Sequence, residues 1–161
     1  MNGWILYKTS EQELTAADYG SQRLLAAAKP ETTLNVYRPD EFELVVMNNQ
    51  NSILLRDSHI ALPDFVIPRM GAETSYFALS VIRQLEKLGV YSCNKSDAIA
   101  TVKDKMYMSQ LLAASHLPTP KTMLVKFPVS VAVVQRELGF PLIIKNNSGA
   151  KGFGICLCES P

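Results

Sequence analysis

The sequence predicts an α/β fold with a mostly parallel sheet, followed by a smaller α+β region. Short apolar runs alternate with helix-like segments between residues 4 and 93, which is typical of strand–helix–strand units. The helix-like segments there are followed by glycine or proline, residues that end helices. Near the carboxyl terminus, two apolar runs flank a glycine-rich loop. That arrangement predicts an antiparallel hairpin.

Composition and charge indicate an ordinary globular protein. Hydrophobic residues make up 47% of the 161 residues and charged residues 19%, which is enough apolar material for a core. The formal net charge is +1, so nucleic acid is not favoured as a partner. No apolar run approaches the roughly 20 residues that a membrane helix needs. Three cysteines favour a reducing compartment over a disulfide framework, so we expect a cytoplasmic protein without nucleic-acid or membrane partners.

The first half of the chain carries the signals of the parallel sheet. Apolar residues recur at helical spacing from Ala78 to Leu88, and Gly89 follows at the position typical of a helix end. A further helix is predicted over Ala16–Lys29. Four apolar runs predict strands: Trp4–Tyr7, Leu34–Tyr37, Phe65–Ile67 and Val90–Cys93. Phe42–Met47 is a further short apolar segment, and Ser52–Ile60 could form a hairpin either with the segment before it or with the one after it.

A domain boundary is expected between residues 91 and 96, and helices follow it. One is predicted over Asn94–Ala100, and the next begins at Thr101, which together with Asp104 resembles a capping box. The alternation of Cys156 and Cys158 with apolar neighbours predicts buried thiols. The remaining elements are predicted as a strand, a helix and two further strands, over Lys121–Lys126, Val129–Leu138, Pro141–Lys145 and Gly154–Cys158.

The loop between the last two predicted strands is the main candidate for chemistry. Its glycines are spaced G-x-x-G-x-G, which matches neither the P-loop nor the dinucleotide fingerprint. Backbone N–H groups of such a loop can hold phosphate, because glycine permits positive φ and close approach. Taken alone, the loop is more often a plain hairpin connection. Lys145 ends an otherwise apolar strand just before it, and a charge at that position favours an anionic ligand.

Several motifs in order make the chain resemble the RimK-type alpha-L-glutamate ligases of the ATP-grasp superfamily. The resemblance covers about Pro63 to Glu159 and extends to the first sixty residues in outline. Its motifs are I-P-R-x-G, the V-x-R-x-x-E-x-x-G-V helix, N-x-x-x-A-I-A, the D-K-x-x-x-x-Q-L-L helix, the P-x-P turn, P-L-x-x-K and the glycine loop.

The resemblance implies a division into domains and a reaction. Residues 1–93 would form a doubly wound pre-ATP-grasp domain, and residues 94–161 the first half of the nucleotide-binding region, ending after the glycine-rich loop. ATP would phosphorylate the carboxylate of an amino acid such as glutamate. An amine of a peptide, protein or amino acid would then attack the acylphosphate to form an amide. The resemblance also implies a homo-oligomer.

Particular residues of this sequence match the functional motifs of that family. The implied nucleotide-binding residues are Lys105, Lys145, Ser148, Gly149, Gly152 and Gly154. Arg69 would bind a substrate carboxylate, although an arginine at a strand end equally fits a salt bridge. Magnesium or manganese would bridge the phosphates, and the family's metal ligands and catalytic arginine follow the glycine loop. We therefore predict no catalytic or metal-binding residue in this chain, weak or no ATP binding, and no turnover by it alone.

Two other functions remain open at the level of the sequence. A short chain could keep the same fold as a non-catalytic nucleotide-binding or interaction module. A Rossmann-type dinucleotide-binding domain is a weaker alternative, because TSEQELTAADYG follows the first strand in place of a glycine fingerprint.

Overall fold

The protein is described by a computed structural model that covers residues 1–48, 50–71, 74–147, 152 and 154–161. These residues form two compact units, Met1–Ile99 and Ala100–Pro161. Among the described residues, no helix has both the length and the apolar character needed to cross a membrane.

A four-stranded parallel sheet forms the centre of the first unit, which confirms the predicted fold class. Its strands run in the order β2–β1–β6–β7. The main-chain register places Ile5 beside Val36 on one side and Ile67 on the other. The strands of this sheet are β1 (Asn2–Leu6), β2 (Thr33–Tyr37), β6 (Phe65–Pro68) and β7 (Tyr91–Ser92).

The central strand β1 is buried on both faces. Trp4, Ile5 and Leu6 are 1%, 0% and 0% exposed, although successive side chains of a strand point to opposite faces. Covering on both faces is the usual state of a parallel sheet flanked by helices. Trp4 and Leu6 belong to the main apolar cluster, so Ile5 faces the other side of the sheet.

The predicted helix before Gly89 is α2 (Tyr76–Lys87), and it covers the Trp4 face. Ser75 caps its first turn by accepting a hydrogen bond from the N–H of Ala78 at 3.1 Å. Gly89 follows the helix with φ +87°, a conformation that glycine adopts without the penalty of a Cβ. Val81, Ile82 and Leu85 are each 0% exposed, which accounts for the apolar spacing of this segment.

An antiparallel sheet lies beside α2, and in it the segment that begins near Ser52 pairs with the segment before it. Its strands are β3 (Phe42–Met47), β4 (Gln50–Leu55) and β5 (Ser58–His59). The side-chain amide of Gln84 on α2 donates to the carbonyl oxygens of Val45 at 3.1 Å and Ser52 at 3.0 Å. This buried amide therefore joins the helix to both strands of the hairpin.

The other face of the sheet carries a shorter helix than the sequence predicts. Ala16–Asp18 is a 3₁₀ turn, and α1 spans only Tyr19–Ala26. The Asp18 carboxylate accepts hydrogen bonds from the N–H and hydroxyl of Thr15 and from the hydroxyl of Tyr7. These bonds separate the turn from the helix and hold the start of α1 near the end of β1.

The described residues of the second unit form the end of one helix, two further helices and a two-stranded antiparallel sheet. Its described residues include no fully buried side chain. The elements from residue 96 onward are α3 (Ser96–Lys103), α4 (Lys105–Ala114), α5 (Val131–Glu137), β8 (Leu142–Lys145) and β9 (Ile155–Cys158).

Three expectations for this part of the chain are wrong. Thr101 lies inside α3, and Asp104 is itself the N-cap of α4, because its carboxylate accepts from the N–H groups of Met106 and Tyr107. The segment 121–126 forms no strand, since no described strand pairs with it. Cys156 is exposed and Cys158 is half-buried, because no described element covers that side of the hairpin.

Candidate functional site

The glycine-rich loop connects β8 to β9 in the predicted antiparallel hairpin. Lys145 pairs with Ile155 in the register of the two strands. Beyond that pair, the N–H of Asn146 donates to the carbonyl oxygen of Gly154 at 3.3 Å. The hydrogen-bonded pairing of β8 and β9 therefore extends into the loop, and it sets the positions at which the loop leaves the two strands.

Glycine is required by the backbone at two described positions of the loop. Gly152 and Gly154 have φ values of +78° and +72°, in the left-handed region that other residues avoid. A Cβ at Gly154 would also overlap the side-chain amide of Asn146. Ser148 and Gly149, which the resemblance also implies, lie outside the described residues.

The side chain of Lys105, on helix α4, reaches the start of this loop. It occupies the first position of α4, which Asp104 caps. Its Nζ atom donates to the carbonyl oxygens of Asn146 at 2.9 Å and Asn147 at 3.1 Å. The structure thus joins two predicted parts of the nucleotide site that are 41 residues apart in sequence.

Lys145 lies at the same end of the hairpin, on the last residue of β8. Its side chain is exposed, and no described carboxylate lies within salt-bridge distance of it. The amino-terminal end of α4 adds the partial positive charge of a helix N-terminus. This end of the hairpin can therefore attract an anion with two ammonium groups and the backbone N–H groups of the loop.

Arg69 lies in the first unit, directly after β6. Its backbone N–H donates to the carbonyl oxygen of Leu6 at 2.8 Å, which continues the pairing of β6 with β1. Its side chain is exposed and makes no ion pair with any residue that the structure describes. Within those residues, the salt-bridge alternative for Arg69 is not observed.

The side chain of Arg69 lines a cleft of about 470 Å³ at the carboxyl edge of the parallel sheet. Arg23 of α1 lines the same cleft, and sequence reasoning missed it. The periodicity of α1 identifies only its apolar side, and an exposed arginine on a helix is ordinary in sequence. Gly20 of α1 lies close to the side chain of Arg69, because a Cβ at this glycine would lie 3.1 Å from Nη2 of Arg69.

A smaller cleft of about 270 Å³ lies at the same edge and is lined by Lys8 and Arg38. Both of these cations already have acidic partners. Lys8 lies 3.6 Å from Asp18, and Arg38 lies 3.1 Å from Asp40 and 3.8 Å from Glu13. Hydrogen bonds from the Thr15 backbone, from Tyr7 and from the Thr15 hydroxyl, together with the charge of Lys8, lower the pKa of Asp18 to about 2.

The part of the chain that the structure describes contains no group of three or more His, Cys, Asp or Glu side chains placed to hold a metal ion. The described residues therefore supply no such cluster for the magnesium or manganese that the family resemblance implies.

Comparison with known families identifies both parts of the chain. The RimK PreATP-grasp domain family matches residues 9–99. The RimK-like ATP-grasp domain family matches residues 102–161.

Similar proteins in bacteria carry one recurring description. The chain is 40% identical over 99 residues to a probable alpha-L-glutamate ligase of Pseudomonas putida, a match that covers 61% of this chain and 33% of that protein. It is 31% identical over 144 residues to probable alpha-L-glutamate ligase 1 of Shewanella amazonensis, covering 88% of this chain and 48% of that protein. The chain thus spans between a third and a half of the length of these curated relatives.

Solved structures share the fold at low sequence identity. The RimK domain protein ATP-grasp from Sphaerobacter thermophilus has a TM-score of 0.66 and 16% identity, over 99% of this chain and 54% of that one. The ATP-grasp ligase PsnB, solved in complex with a minimal precursor, has a TM-score of 0.66 and 20% identity, over 99% of this chain and 56% of that one.

Proposed function

The chain belongs to the RimK-like ATP-grasp family, and on that premise we propose that it forms the N-terminal part of an ATP-dependent carboxylate–amine ligase. The observation that carries this proposal is the pair of hydrogen bonds from Lys105 to the carbonyls of Asn146 and Asn147. They hold the start of the glycine loop against the helix N-terminus, one residue beyond Lys145. Two lysines and a glycine loop in this arrangement suit a triphosphate.

Each of these residues has a proposed task at the nucleotide. Lys145 neutralises phosphate oxygens from the strand side, and Lys105 does so from the side of α4. Gly152 and Gly154 allow the backbone to approach the phosphates closely and help to exclude water. Ser148 and Gly149 are assigned to the same nucleotide by the family resemblance. When bound, ATP would supply the phosphoryl group that activates a carboxylate for attack by an amine, releasing ADP and phosphate.

The substrates of the reaction are proposed from the relatives. Because proteins 31% and 40% identical to this chain are described as probable alpha-L-glutamate ligases, we propose glutamate as the amino acid that enters the amide. The acceptor is proposed to be the amine of a peptide, protein or amino acid. Arg69 is proposed to bind a substrate carboxylate through the two parallel N–H donors of its guanidinium.

An ATP derivative with an acyl group on its terminal phosphate tests the nucleotide site directly. Such a probe acylates lysine amines that lie beside bound phosphates, so even weak binding leaves a covalent record. Because the chain alone is predicted to bind ATP weakly or not at all, we expect ATP-competable acylation of Lys105 and Lys145 when the chain is complemented by the carboxyl-terminal part of a relative, mapped by mass spectrometry. Lys126, an exposed lysine of the same unit, is the matched control. Equal labelling of all three lysines, unaffected by ATP, would contradict the proposed site.

Turnover distinguishes a ligase part from a non-catalytic nucleotide-binding module. The 161-residue chain, incubated with ATP, magnesium and glutamate, is expected to form no amide. Amide formation by this chain would contradict the expectation that it supplies only part of the active site. When the chain is complemented by the carboxyl-terminal part of a relative, ligase activity supports the proposal. Nucleotide labelling without activity in that complex would favour the binding module.

A further inference from the structure

The larger cleft lies where the topology of an open parallel sheet favours a ligand. From β1 the sheet extends to β2 on one side and to β6 and β7 on the other. The strand order therefore reverses between β1 and β6, and ligands of open α/β sheets bind outside the carboxyl ends of the strands at such a point. Arg69 directly follows β6, while α1, which carries Arg23, belongs to the connection that leaves β1.

The two arginines of the cleft have no acidic partner within the described part of the chain, and Arg23 lies 6.0 Å from the centroid of the Tyr19 ring. Neither Arg23 nor Arg69 lies within salt-bridge distance of a described carboxylate. The neighbouring cleft shows the opposite arrangement, because the acidic groups of Asp18, Glu13 and Asp40 pair with its two cations. Two arginines that share one cleft repel each other until an anion lies between them.

The position of Arg69 is set by a close approach to α1. The guanidinium lies beside Gly20 in the first turn of that helix, where a Cβ would lie only 3.1 Å from Nη2. Asp18 at the N-cap of α1 already offsets the partial positive charge of the helix end. The group at this position that attracts an anion is therefore the guanidinium itself, and Gly20 leaves it the space to lie there.

The lining of the cleft suits a small organic anion. Leu24 and Ile67 supply apolar surface, and Asn94 supplies an amide that can donate and accept hydrogen bonds. We propose that this cleft binds the carboxylate of a small amino-acid substrate, with Arg23 as a second ligand beside Arg69. The use of the bound carboxylate in amide formation rests on the proposed ligase function. The binding site itself lies within the first unit and does not depend on it.

A titration of the ¹⁵N-labelled 161-residue chain with sodium glutamate, followed by NMR, tests the site. We expect saturable shifts of the Gly20 and Asn94 amides and of the Nε–H groups of Arg23 and Arg69. Glutaramide, which has the same length but no carboxylate, is expected to cause none of them. Sodium phosphate at equal ionic strength separates a carboxylate site from a general anion site. Phosphate binding as tight as that of glutamate, or unsaturable shifts with glutamate, would overturn the assignment.

Substitutions test whether the two arginines bind glutamate. Arg23→Gln and Arg69→Gln are each expected to weaken glutamate binding by about tenfold or more, because each removes a charge-assisted contact. Arg38→Gln is the matched control at the same edge of the sheet, and it should leave the affinity within about twofold. An equal loss in all three variants would overturn the proposal.

Gly20→Ala tests the geometry without removing a charge. The new methyl group would lie 3.1 Å from Nη2 of Arg69, so the guanidinium must shift by a few tenths of an ångström, whereas alanine in a helix is at least as stabilising as glycine. We expect weaker glutamate binding at an unchanged or higher melting temperature. Wild-type affinity in this variant would contradict the position assigned to Arg69.

The two proposals fail independently. Saturable glutamate binding without ATP-competable labelling of Lys105 and Lys145 would retain the carboxylate site and remove support for the ligase function. Labelling of both lysines without glutamate binding would retain the nucleotide site and overturn this inference.

Discussion

Two isoleucines show how differently the two units of this chain are built. Ile82 in α2 is 0% exposed within a cluster that includes Trp4, Phe42 and Val66, whereas Ile143 on β8 is 63% exposed. The first unit buries apolar side chains between a sheet, helices and a hairpin. The described residues of the second unit form helices and a hairpin without a buried core, so hydrogen bonds and helix caps are their main observed constraints. We therefore expect the first unit to unfold cooperatively and the hairpin of the second to open more readily.

The same substitution in the two units should reveal this difference most strongly. Ile82→Ala is expected to lower the free energy of unfolding by about 2–5 kcal/mol, because it leaves a cavity in a packed core. Ile143→Ala removes the same atoms from an exposed position and should change it by less than about 0.5 kcal/mol. Urea denaturation of both variants measures the two values. Equal losses would contradict the comparison.

Gln84 provides a polar test of the first unit. In Gln84→Leu the carbonyls of Val45 and Ser52 lose the donor that reaches them from α2. We expect a loss of about 1–3 kcal/mol in the free energy of unfolding, because buried acceptors would be left unsatisfied. Gln22→Leu, at an exposed position of α1, is the control. A loss in the control as large as that in Gln84→Leu would assign the effect to helix propensity.

Lys105 tests what holds the hairpin of the second unit. Lys105→Met removes the donor that joins α4 to the carbonyls of Asn146 and Asn147. Amide hydrogen exchange in β8 and β9 is expected to become about two- to fivefold faster, as loss of a modest hydrogen bond predicts. Exchange in β1 and α2 should not change. Lys126→Met should alter neither region, and unchanged exchange in β8 and β9 of the Lys105 variant would contradict this role.

Acid should affect the first unit through Asp18. Hydrogen bonds from Thr15 and Tyr7 lower the pKa of this carboxyl from 3.8 to about 2 in the folded protein. Its ionised form is therefore favoured by folding, so the stabilisation is present above about pH 4 and is lost as the pH falls towards 2. Asp18→Asn should flatten this part of the stability–pH curve, measured by thermal unfolding. A curve identical to that of the wild type would exclude Asp18 as its source.

Elements with local signals were predicted well because their causes are local. The apolar spacing and terminal glycine of α2 act within a few turns of one helix, and Gly89 has the expected positive φ. The hairpin of β8 and β9 follows from two apolar runs around a glycine loop. By contrast, Thr101 and Asp104 both suit a helix start, and only the break between α3 and α4 shows that Asp104 is the cap.

Elements that need a distant partner were predicted less well. The segment 121–126 contains strand-forming residues such as Thr122 and Val125, but a strand exists only where another strand pairs with it. Cys156 has the alternating neighbours of a buried strand residue. Its burial depends on a covering layer that the alternation itself does not specify.

Local patterns in the sequence predicted the α/β class, the main helices, the glycine-loop hairpin and Lys145 as a candidate anion ligand. Lys105 and Arg69 became candidates through the resemblance to a known family. Periodicity, caps and turn residues act over a few positions, so they can be recognised in one dimension. Only the tertiary structure decided that Lys105 contacts the start of the glycine loop and that Arg23 shares a cleft with Arg69. Both contacts depend on packing between segments that are far apart in the chain, so no local pattern specifies them.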